Sequence, residues 1–224
     1  MIVVIEGLDA SGKATQSKLL ASKLKGTRFS FPNYDSATGK AILGHLKKEW
    51  ACGGRQENAA AWKLLDALVF QCLQTANRLE LLPSIRKALE EGPVVFDRYW
   101  QSGCVYGGLE GLDYAWLRYT QEHPMPKADL NILIDIPVEE GFTRRPERRD
   151  RYEIDRLFLE TVRAGYQALW ADHYGADDYR WNYANGRTSP DLIVGDSGWY
   201  VVNGLGTVEE VHARIMTCIS EARE

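Results

Sequence analysis

The segment IEGLDASGKATQ, residues 5–16, has the spacing of a phosphate-binding loop. Gly7 is followed by four residues and then by Gly12 and Lys13, which matches the pattern G-x-x-x-x-G-K. In such a loop the backbone N–H groups and the lysine ammonium contact the phosphate oxygens of a nucleotide. The predicted phosphate-binding residues are Gly7, Ala10, Ser11, Gly12, Lys13, Ala14 and Thr15.

The residue after the lysine leaves two interpretations open. A serine or threonine hydroxyl normally binds Mg²⁺ at this position, but this chain has Ala14, with Thr15 one residue further on. One interpretation is an active enzyme in which water replaces the hydroxyl. The other is a nucleotide-binding protein without catalytic activity.

An aspartate ends the apolar segment PVVFDRY, residues 93–99. Asp97 could reach Mg²⁺ directly or through water, and Asp135 in ILIDIP is a rival for that role. Arg98 favours Asp97, because an arginine fork suits a phosphate beside the metal. We therefore predict that Asp97 is a metal ligand and that Arg98 is catalytic.

Positive charge is concentrated in TRRPERRDRYE, residues 143–153. The default interpretation of a charge run is a solvated helix face. Because the whole chain has a net charge of −4, this one concentration favours a mobile lid that closes over phosphates. Its best candidates for a catalytic role are Arg145, Arg148 and Arg149.

Apolar segments with helical patterns between them must position these groups. β-Branched runs occur at 1–7, 27–32, 93–99, 130–137 and 199–204. Among the helical patterns between them, the largely apolar segment 59–82 predicts one long, mostly buried helix. This alternation predicts an α/β fold, a parallel sheet covered by helices on both faces. Because ligands bind outside the carboxyl ends of such strands, the residues that follow the runs should meet in one crevice. Residues 174–198 are predicted to form an extended loop or a small excursion before the last strand.

Composition limits the classes of partner. A pI near 5.7 argues against nucleic acid and anionic membrane as partners, and the longest apolar runs are too short for a membrane helix. The four cysteines are scattered, so we expect small hydrophobes in a reducing compartment, with no disulfide framework or zinc site. The four histidines lie outside every motif. We expect one cytoplasmic domain covering residues 1–224.

The motifs together resemble those of the thymidylate kinases. IEGLDASGKATQ, FPNY, ANRLELLPSIRKALEEGPVVFDRY, SGCVYGG, PKADLNILIDIPVEEG and RDRYE occur in the family's order and at roughly its spacing. The resemblance implies a P-loop nucleoside monophosphate kinase fold, a three-layer sandwich with a five-stranded parallel sheet and a lid at about residues 142–153. It also implies ATP as phosphoryl donor, Mg²⁺, dTMP as acceptor, and a homodimer.

The resemblance assigns further roles residue by residue. Asp9 matches a carboxylate facing the sugar and phosphate region, and it is a second candidate metal ligand. Tyr106 matches an aromatic residue that disfavours a ribose, and Tyr152 matches a lid residue near the acceptor. The residues implied to border the acceptor nucleotide are Asp9, Phe31, Tyr34, Phe70, Gln74, Arg78, Arg98, Ser102, Gly103, Tyr106 and Tyr152.

Two positions depart from the family pattern. Gln74 stands where the family usually has a phenylalanine that stacks on thymine, which leaves another pyrimidine deoxynucleotide, including a 5-modified one, as an alternative substrate. Ala10 stands where some members carry a loop arginine. Members with a small residue there place the catalytic arginine in the lid, which agrees with the arginine-rich segment.

Overall fold

Five strands form the parallel sheet that the sequence predicts. The computed structural model describes residues 1–51, 59–147, 155–174, 192–194 and 198–222. The parallel strands are β1 (Ile2–Gly7), β2 (Thr27–Ser30), β3 (Val94–Asp97), β4 (Leu130–Asp135) and β6 (Trp199–Asn203). The sheet contains one further strand, β5 (Leu192–Val194), which pairs antiparallel with β6 at the edge and gives the order β2-β3-β1-β4-β6-β5.

Helices cover both faces of this sheet. They are α1 (Lys13–Leu24), α2 (Ala37–Leu46), α3 (Ala59–Glu80), α4 (Leu82–Glu91), α5 (Trp100–Leu109), α6 (Tyr114–Gln121), α7 (Val138–Arg144), α8 (Arg156–Tyr174) and α9 (Val208–Glu221). One face packs against α1 and α9, and the other against α4, α5 and α8. In the described part of the chain, no helix has the length and apolar composition that a membrane span needs.

The alternation of side chains along β1 positions the first polar group of the site. Val3 and Ile5 lie in the core beneath α1 and α9, whereas Ile2 and Val4 lie in the core beneath α4, α5 and α8. Successive residues of a strand point to opposite faces, so Glu6 lies on the same face as Ile2 and Val4. Its side chain is fully buried there, among the helices that follow β3 and β4.

Two elements differ from the sequence predictions. The helix predicted over 59–82 ends at Glu80 as α3, and Leu82 begins α4. Helix α3 is also not mostly buried, contrary to what its apolar composition suggested, because Trp62, Leu64, Leu65 and Leu79 are exposed. Residues 192–194 form an edge strand within the segment 174–198, most of which lies outside the described residues.

The cysteines partly match the expectation. Cys104 and Cys218 are buried free thiols in the two core clusters, as expected for small hydrophobic side chains. Cys72 is exposed. Cys52 lies outside the described residues.

Candidate active site

A cavity opens where β1, β2 and β3 end, and helices α3 and α5 form its walls. It encloses about 660 Å³, including space open to solvent. It brings together every predicted acceptor-side residue that the structure describes: Asp9, Phe31, Tyr34, Phe70, Gln74, Arg78, Arg98, Ser102, Gly103 and Tyr106. Tyr152 lies outside the described residues.

The glycine-rich loop runs from β1 into α1 with its helix N-terminus uncapped. A Cβ at Gly7 would lie 2.4 Å from the carbonyl oxygen of Ile134, so only glycine allows this approach to β4. Gly12 is the N-cap, and no side chain caps α1, which leaves N–H groups facing the loop for an anion. Lys13 is buried, and its Nζ donates to the Leu8 carbonyl at 2.6 Å. Ala14 and Thr15 are exposed in the first turn.

Asp9 joins this loop to the cavity through two ion pairs. Its Oδ1 accepts a hydrogen bond from Nη2 of Arg98 at 2.5 Å and lies 3.7 Å from Nζ of Lys13. Burial alone would raise the pKa of Asp9. The positive charges of Arg98 and Lys13, the Arg98 hydrogen bond and the charge of Arg145 outweigh burial and lower the pKa to about 2. Asp9 is therefore an anion that holds two cations at one point.

The pKa values of the two cations beside Asp9 shift in opposite directions. Burial, and then repulsion from Arg98, lowers the pKa of Lys13 from 10.5 to about 8, although Asp9, Asp97 and Glu6 partly oppose the change. Burial also acts to lower the pKa of Arg98, but the charge of Asp9 and weaker contributions from Tyr166, Tyr106 and Glu6 raise it well above its usual range. Arg98 thus keeps its charge at any physiological pH, whereas Lys13 can lose its proton in mildly alkaline solution.

The buried Glu6 positions Arg98 indirectly, through the hydroxyl groups of Ser102 and Tyr166. No motif in the sequence indicated this role. Oε1 of Glu6 accepts from the backbone N–H groups of Tyr99 (2.8 Å) and Ser102 (3.2 Å), at the start of α5. Its Oε2 accepts from the hydroxyl of Ser102 (2.8 Å) and from that of Tyr166 on α8 (3.0 Å). Nη1 of Arg98 donates to both of these hydroxyls, at 3.2 Å each. The one local signal was a carboxylate inside an otherwise apolar strand.

The backbone of Arg98 also needs support. Its φ is 66°, in the left-handed region that non-glycine residues seldom adopt. Its N–H donates to the carbonyl of Ile5 at 3.0 Å, which ties the turn after β3 to β1. Burial, followed by the negative charge of Glu6, raises the pKa of Tyr166 well above its usual range, so its hydroxyl remains a hydrogen-bond donor.

Asp97 and its rival Asp135 occupy different environments. Oδ2 of Asp97 accepts from Nη2 of Arg28 at 2.5 Å and from the Ser30 hydroxyl at 3.4 Å. Asp135 forms a two-point ion pair with Arg163 of α8, with both contacts at 2.8 Å. The structure therefore gives Asp135 a partner that connects β4 to α8, while Asp97 acts electrostatically on Lys13 of the glycine-rich loop.

The end of the cavity away from Lys13 is formed by α2 and α3. Phe70 is buried, and its ring stacks on His45 with centroids 4.4 Å apart. Nε2 of His45 lies 2.9 Å from Oδ2 of Asp66. His45, which lies outside every sequence motif, thus supports an aromatic wall of the cavity. Burial lowers the pKa of the nearby Arg78 to about 10, although Cys104, Tyr99 and Glu6 partly oppose the change.

The loop after β2, which carries Phe31 and Tyr34, is fixed by Asn77 of α3. This side chain is fully buried. Its Oδ1 accepts from the N–H of Asn33 at 2.7 Å, and its Nδ2 donates to the carbonyl of Asn33 at 3.1 Å. The sequence segment ANR thus contributes a second positioning residue beside Arg78.

The first residues of the arginine-rich segment lie against the glycine-rich loop. Nη2 of Arg144 donates to the carbonyl of Gly204 at 2.8 Å, and its Nη1 lies 3.5 Å from the carbonyls of Ala10 and Ser11. Arg145 is close enough to contribute to the low pKa of Asp9. Arg148, Arg149 and the rest of the predicted lid up to residue 153 lie outside the described residues.

Comparisons of the sequence and of the structure with known proteins all match thymidylate kinases. A family model described as thymidylate kinase matches residues 5–176. The chain is 35% identical over 213 residues to a thymidylate kinase of Thermomicrobium roseum, covering 89% of this chain and 93% of that protein. It is 33% identical over 174 residues to a thymidylate kinase of Schizosaccharomyces pombe, covering 75% and 76%.

A solved structure has the same fold. The thymidylate kinase of Candida albicans superposes with a TM-score of 0.71 over 99% of this chain and 92% of that chain, at 24% identity. At this identity the likeness establishes the fold alone.

Proposed function

The chain belongs to the thymidylate kinase family, and on that premise we propose that it transfers the γ-phosphoryl group of ATP to dTMP, giving ADP and dTDP. The observation that carries the proposal is the contact between donor and acceptor sides. Asp9 of the glycine-rich loop pairs with both Lys13 of that loop and Arg98 of the acceptor cavity. Groups suited to two phosphates therefore meet at one carboxylate.

Positioning and charge account for the chemistry. The attacking oxygen of a monophosphate is already negative, so no general base is needed, and rate comes from alignment and charge neutralisation. Lys13 and the N–H groups at the start of α1 bind the ATP phosphates. Arg98, held by Glu6 through Ser102 and Tyr166, binds the acceptor phosphate in line with them.

The residues around Asp97 fit a magnesium site. Both hydrogen bonds to its carboxylate fall on Oδ2, so within the described residues Oδ1 has no hydrogen-bond partner. Such a site needs only one or two carboxylates, because phosphate oxygens and water complete the shell. This is consistent with finding, among the described residues, no group of three or more His, Cys, Asp or Glu that could hold a metal. Bound Mg²⁺ would neutralise charge on the transferring phosphates.

Two further proposals concern closure and assembly. We propose that residues 142–153 form a lid whose arginines complete the charge around the transferred group. Among them, Arg145 acts electrostatically on Asp9. We also propose a homodimer formed through α3, because exposed Trp62, Leu64 and Leu65 form an apolar surface of the kind that protein interfaces cover.

A second candidate function rests on Gln74. Its amide lines the cavity and takes part in no hydrogen bond with any described residue, so it is available to a polar group on the base. A kinase for another pyrimidine deoxynucleotide, including a 5-substituted one, is therefore the alternative.

Comparing substrates tests the two functions together. We expect ATP- and Mg²⁺-dependent release of ADP with dTMP, and its loss in Lys13→Ala. Initial rates with dTMP, dUMP, 5-hydroxymethyl-dUMP and dCMP at equal concentration would distinguish the candidates. A faster reaction with a 5-substituted dUMP than with dTMP would favour the alternative. The absence of ADP release with every monophosphate would refute both and favour a non-catalytic nucleotide-binding protein.

A further inference from the structure

The part of the cavity lined by Gln71, Gln74 and Arg78 of α3, called here the base end because the family resemblance places the base beside Arg78, contains a series of hydrogen bonds with one fixed direction. Nη2 of Arg78 donates to Oε1 of Gln121, and Nε2 of Gln121 donates to Oε1 of Gln71 at 3.0 Å. All three side chains are at least 98% buried. We propose that Gln71 and Gln121 are specificity-determining residues that make the site select pyrimidines with a carbonyl, rather than an amino group, at C4. The inference rests on the proposed function.

The direction follows from the chemistry of arginine. A guanidinium has only donors, so the Gln121 atom that faces Arg78 must be the oxygen. The other end of that amide is then the NH₂ group, and the Gln71 atom that receives its hydrogen bond must be an oxygen. The amide nitrogen of Gln71, Nε2, therefore takes no part in this series of hydrogen bonds. Arg78 thus fixes the orientation of both amides.

One donor is consequently available to the ligand. Gln71 lines the cavity, and its Nε2 has no hydrogen-bond partner in the described part of the chain. Nε of Arg78 has none there either, but it is fully buried and not exposed to the cavity. A donor that loses water costs free energy unless another partner satisfies it. A C4 carbonyl satisfies Nε2 of Gln71, whereas the amino group of cytosine would oppose a donor to a donor.

Gln74 does not set this preference. It lies three residues after Gln71 and four before Arg78, so all three share one face of α3. No described residue restricts its amide, which can turn either its oxygen or its nitrogen to the base.

The backbone of α5 makes room for the series of hydrogen bonds. A Cβ at Gly103 would lie 1.6 Å from Oε1 of Gln121 and 2.4 Å from its Cδ. Any larger residue at position 103 would therefore displace the amide from Arg78. This gives Gly103 a physical role beside the base end of the cavity.

Gln121→Glu is designed to reverse the direction at Gln71. The Arg78 charge keeps a carboxylate at position 121 ionised, so it can only accept. Gln71 must then donate Nε2 to it and present Oε1 to the cavity. Dissociation constants for dUMP and dCMP, which share a 5-hydrogen, are measured by calorimetry on the full chain. We expect the native chain to bind dUMP at least about tenfold more tightly, and the variant to lower this ratio by about tenfold, as for one buried hydrogen bond.

Gln71→Leu is the second variant, and it decides the question if Gln121→Glu does not fold. Leucine cannot donate, so dUMP binding should weaken by about tenfold while dCMP binding changes by less than about threefold. ATP affinity is the control and should not change in either variant. Equal dUMP and dCMP affinities in the native chain, or equal weakening of both in the variants, would overturn the proposal. Because binding is measured, absence of turnover would refute the proposed function without removing this test.

Discussion

Removing one hydroxyl, in Tyr166→Phe, should weaken catalysis without removing any group that contacts substrate. The Tyr166 hydroxyl contacts Oε2 of Glu6 at 3.0 Å, Nη1 of Arg98 at 3.2 Å and the Ser102 hydroxyl at 2.8 Å. A hydrogen bond to a charged group contributes about 1.5–3 kcal/mol. Because Ser102 still contacts both charged groups, we expect the free energy of unfolding to fall by about 2–3 kcal/mol.

The catalytic effect follows from the position of Arg98. Misplacement of a group by about 1 Å can cost about 100-fold in rate. Since Ser102 and Asp9 still hold this guanidinium, we expect a decrease in kcat of about tenfold. The KM for ATP should remain unchanged, because no hydrogen bond joins Tyr166 to the described residues of the glycine-rich loop.

Steady-state kinetics and denaturant unfolding separate this positioning role from a purely structural one. Tyr200→Phe is the matched control, because Tyr200 is buried in the opposite core cluster and its hydroxyl has no hydrogen-bond partner in the described residues. The control should keep both kcat and KM. A Tyr166→Phe enzyme that is less stable but has native kcat at a temperature where it is folded would refute the reasoning.

Three other predictions concern the glycine-rich loop. The folded-state pKa of Lys13 is about 8, below its usual 10.5, so its charge is lost as the pH rises through 8; kcat/KM for ATP should decrease there, and Lys13→Arg, which stays charged, should remove the decrease. The folded-state pKa of Asp9 is about 2, below 3.8, so its ionised form stabilises the fold above pH 3.8 and this contribution is lost as the pH falls towards 2. Asp9→Asn should therefore lower the unfolding free energy at pH 7 and flatten its pH dependence between 3.8 and 2; an unchanged slope contradicts the ion pairs. Ala14→Ser should raise Mg²⁺ affinity in an ADP-binding titration with little change in kcat, whereas activity in the serine variant alone would mean that the native loop is not catalytic.

Local signals in the sequence were enough for the strands and for the residues that follow them. The apolar runs ending near Gly7 and Asp97 predict parallel strands, and the rule that their carboxyl ends meet places Asp9, Phe31 and Arg98 in one cavity, as the structure does. The exposed side of α3 was not predicted, because apolar composition does not distinguish a core helix from a helix with an apolar surface.

Partners far apart in the chain could not be predicted. Glu6 and Tyr166 are separated by 160 positions, and Gln121 lies 43 positions from Arg78. No spacing rule connects such residues before the packing of α5, α6 and α8 is known. The same holds for Arg28, whose pairing with Asp97 depends on the order of β2 and β3 in the sheet.

The buried carboxylate of Glu6 also has a consequence for motion. Glu6 belongs to β1, and its carboxylate accepts hydrogen bonds from the N–H groups of Tyr99 and Ser102 at the start of α5. The start of α5 and strand β1 must therefore unfold together. Their amide hydrogens should exchange with solvent only through large-scale unfolding. If binding of substrate closes the site, the moving segments would then be ones that form no hydrogen bond with Glu6, while β1 and the start of α5 stay in place.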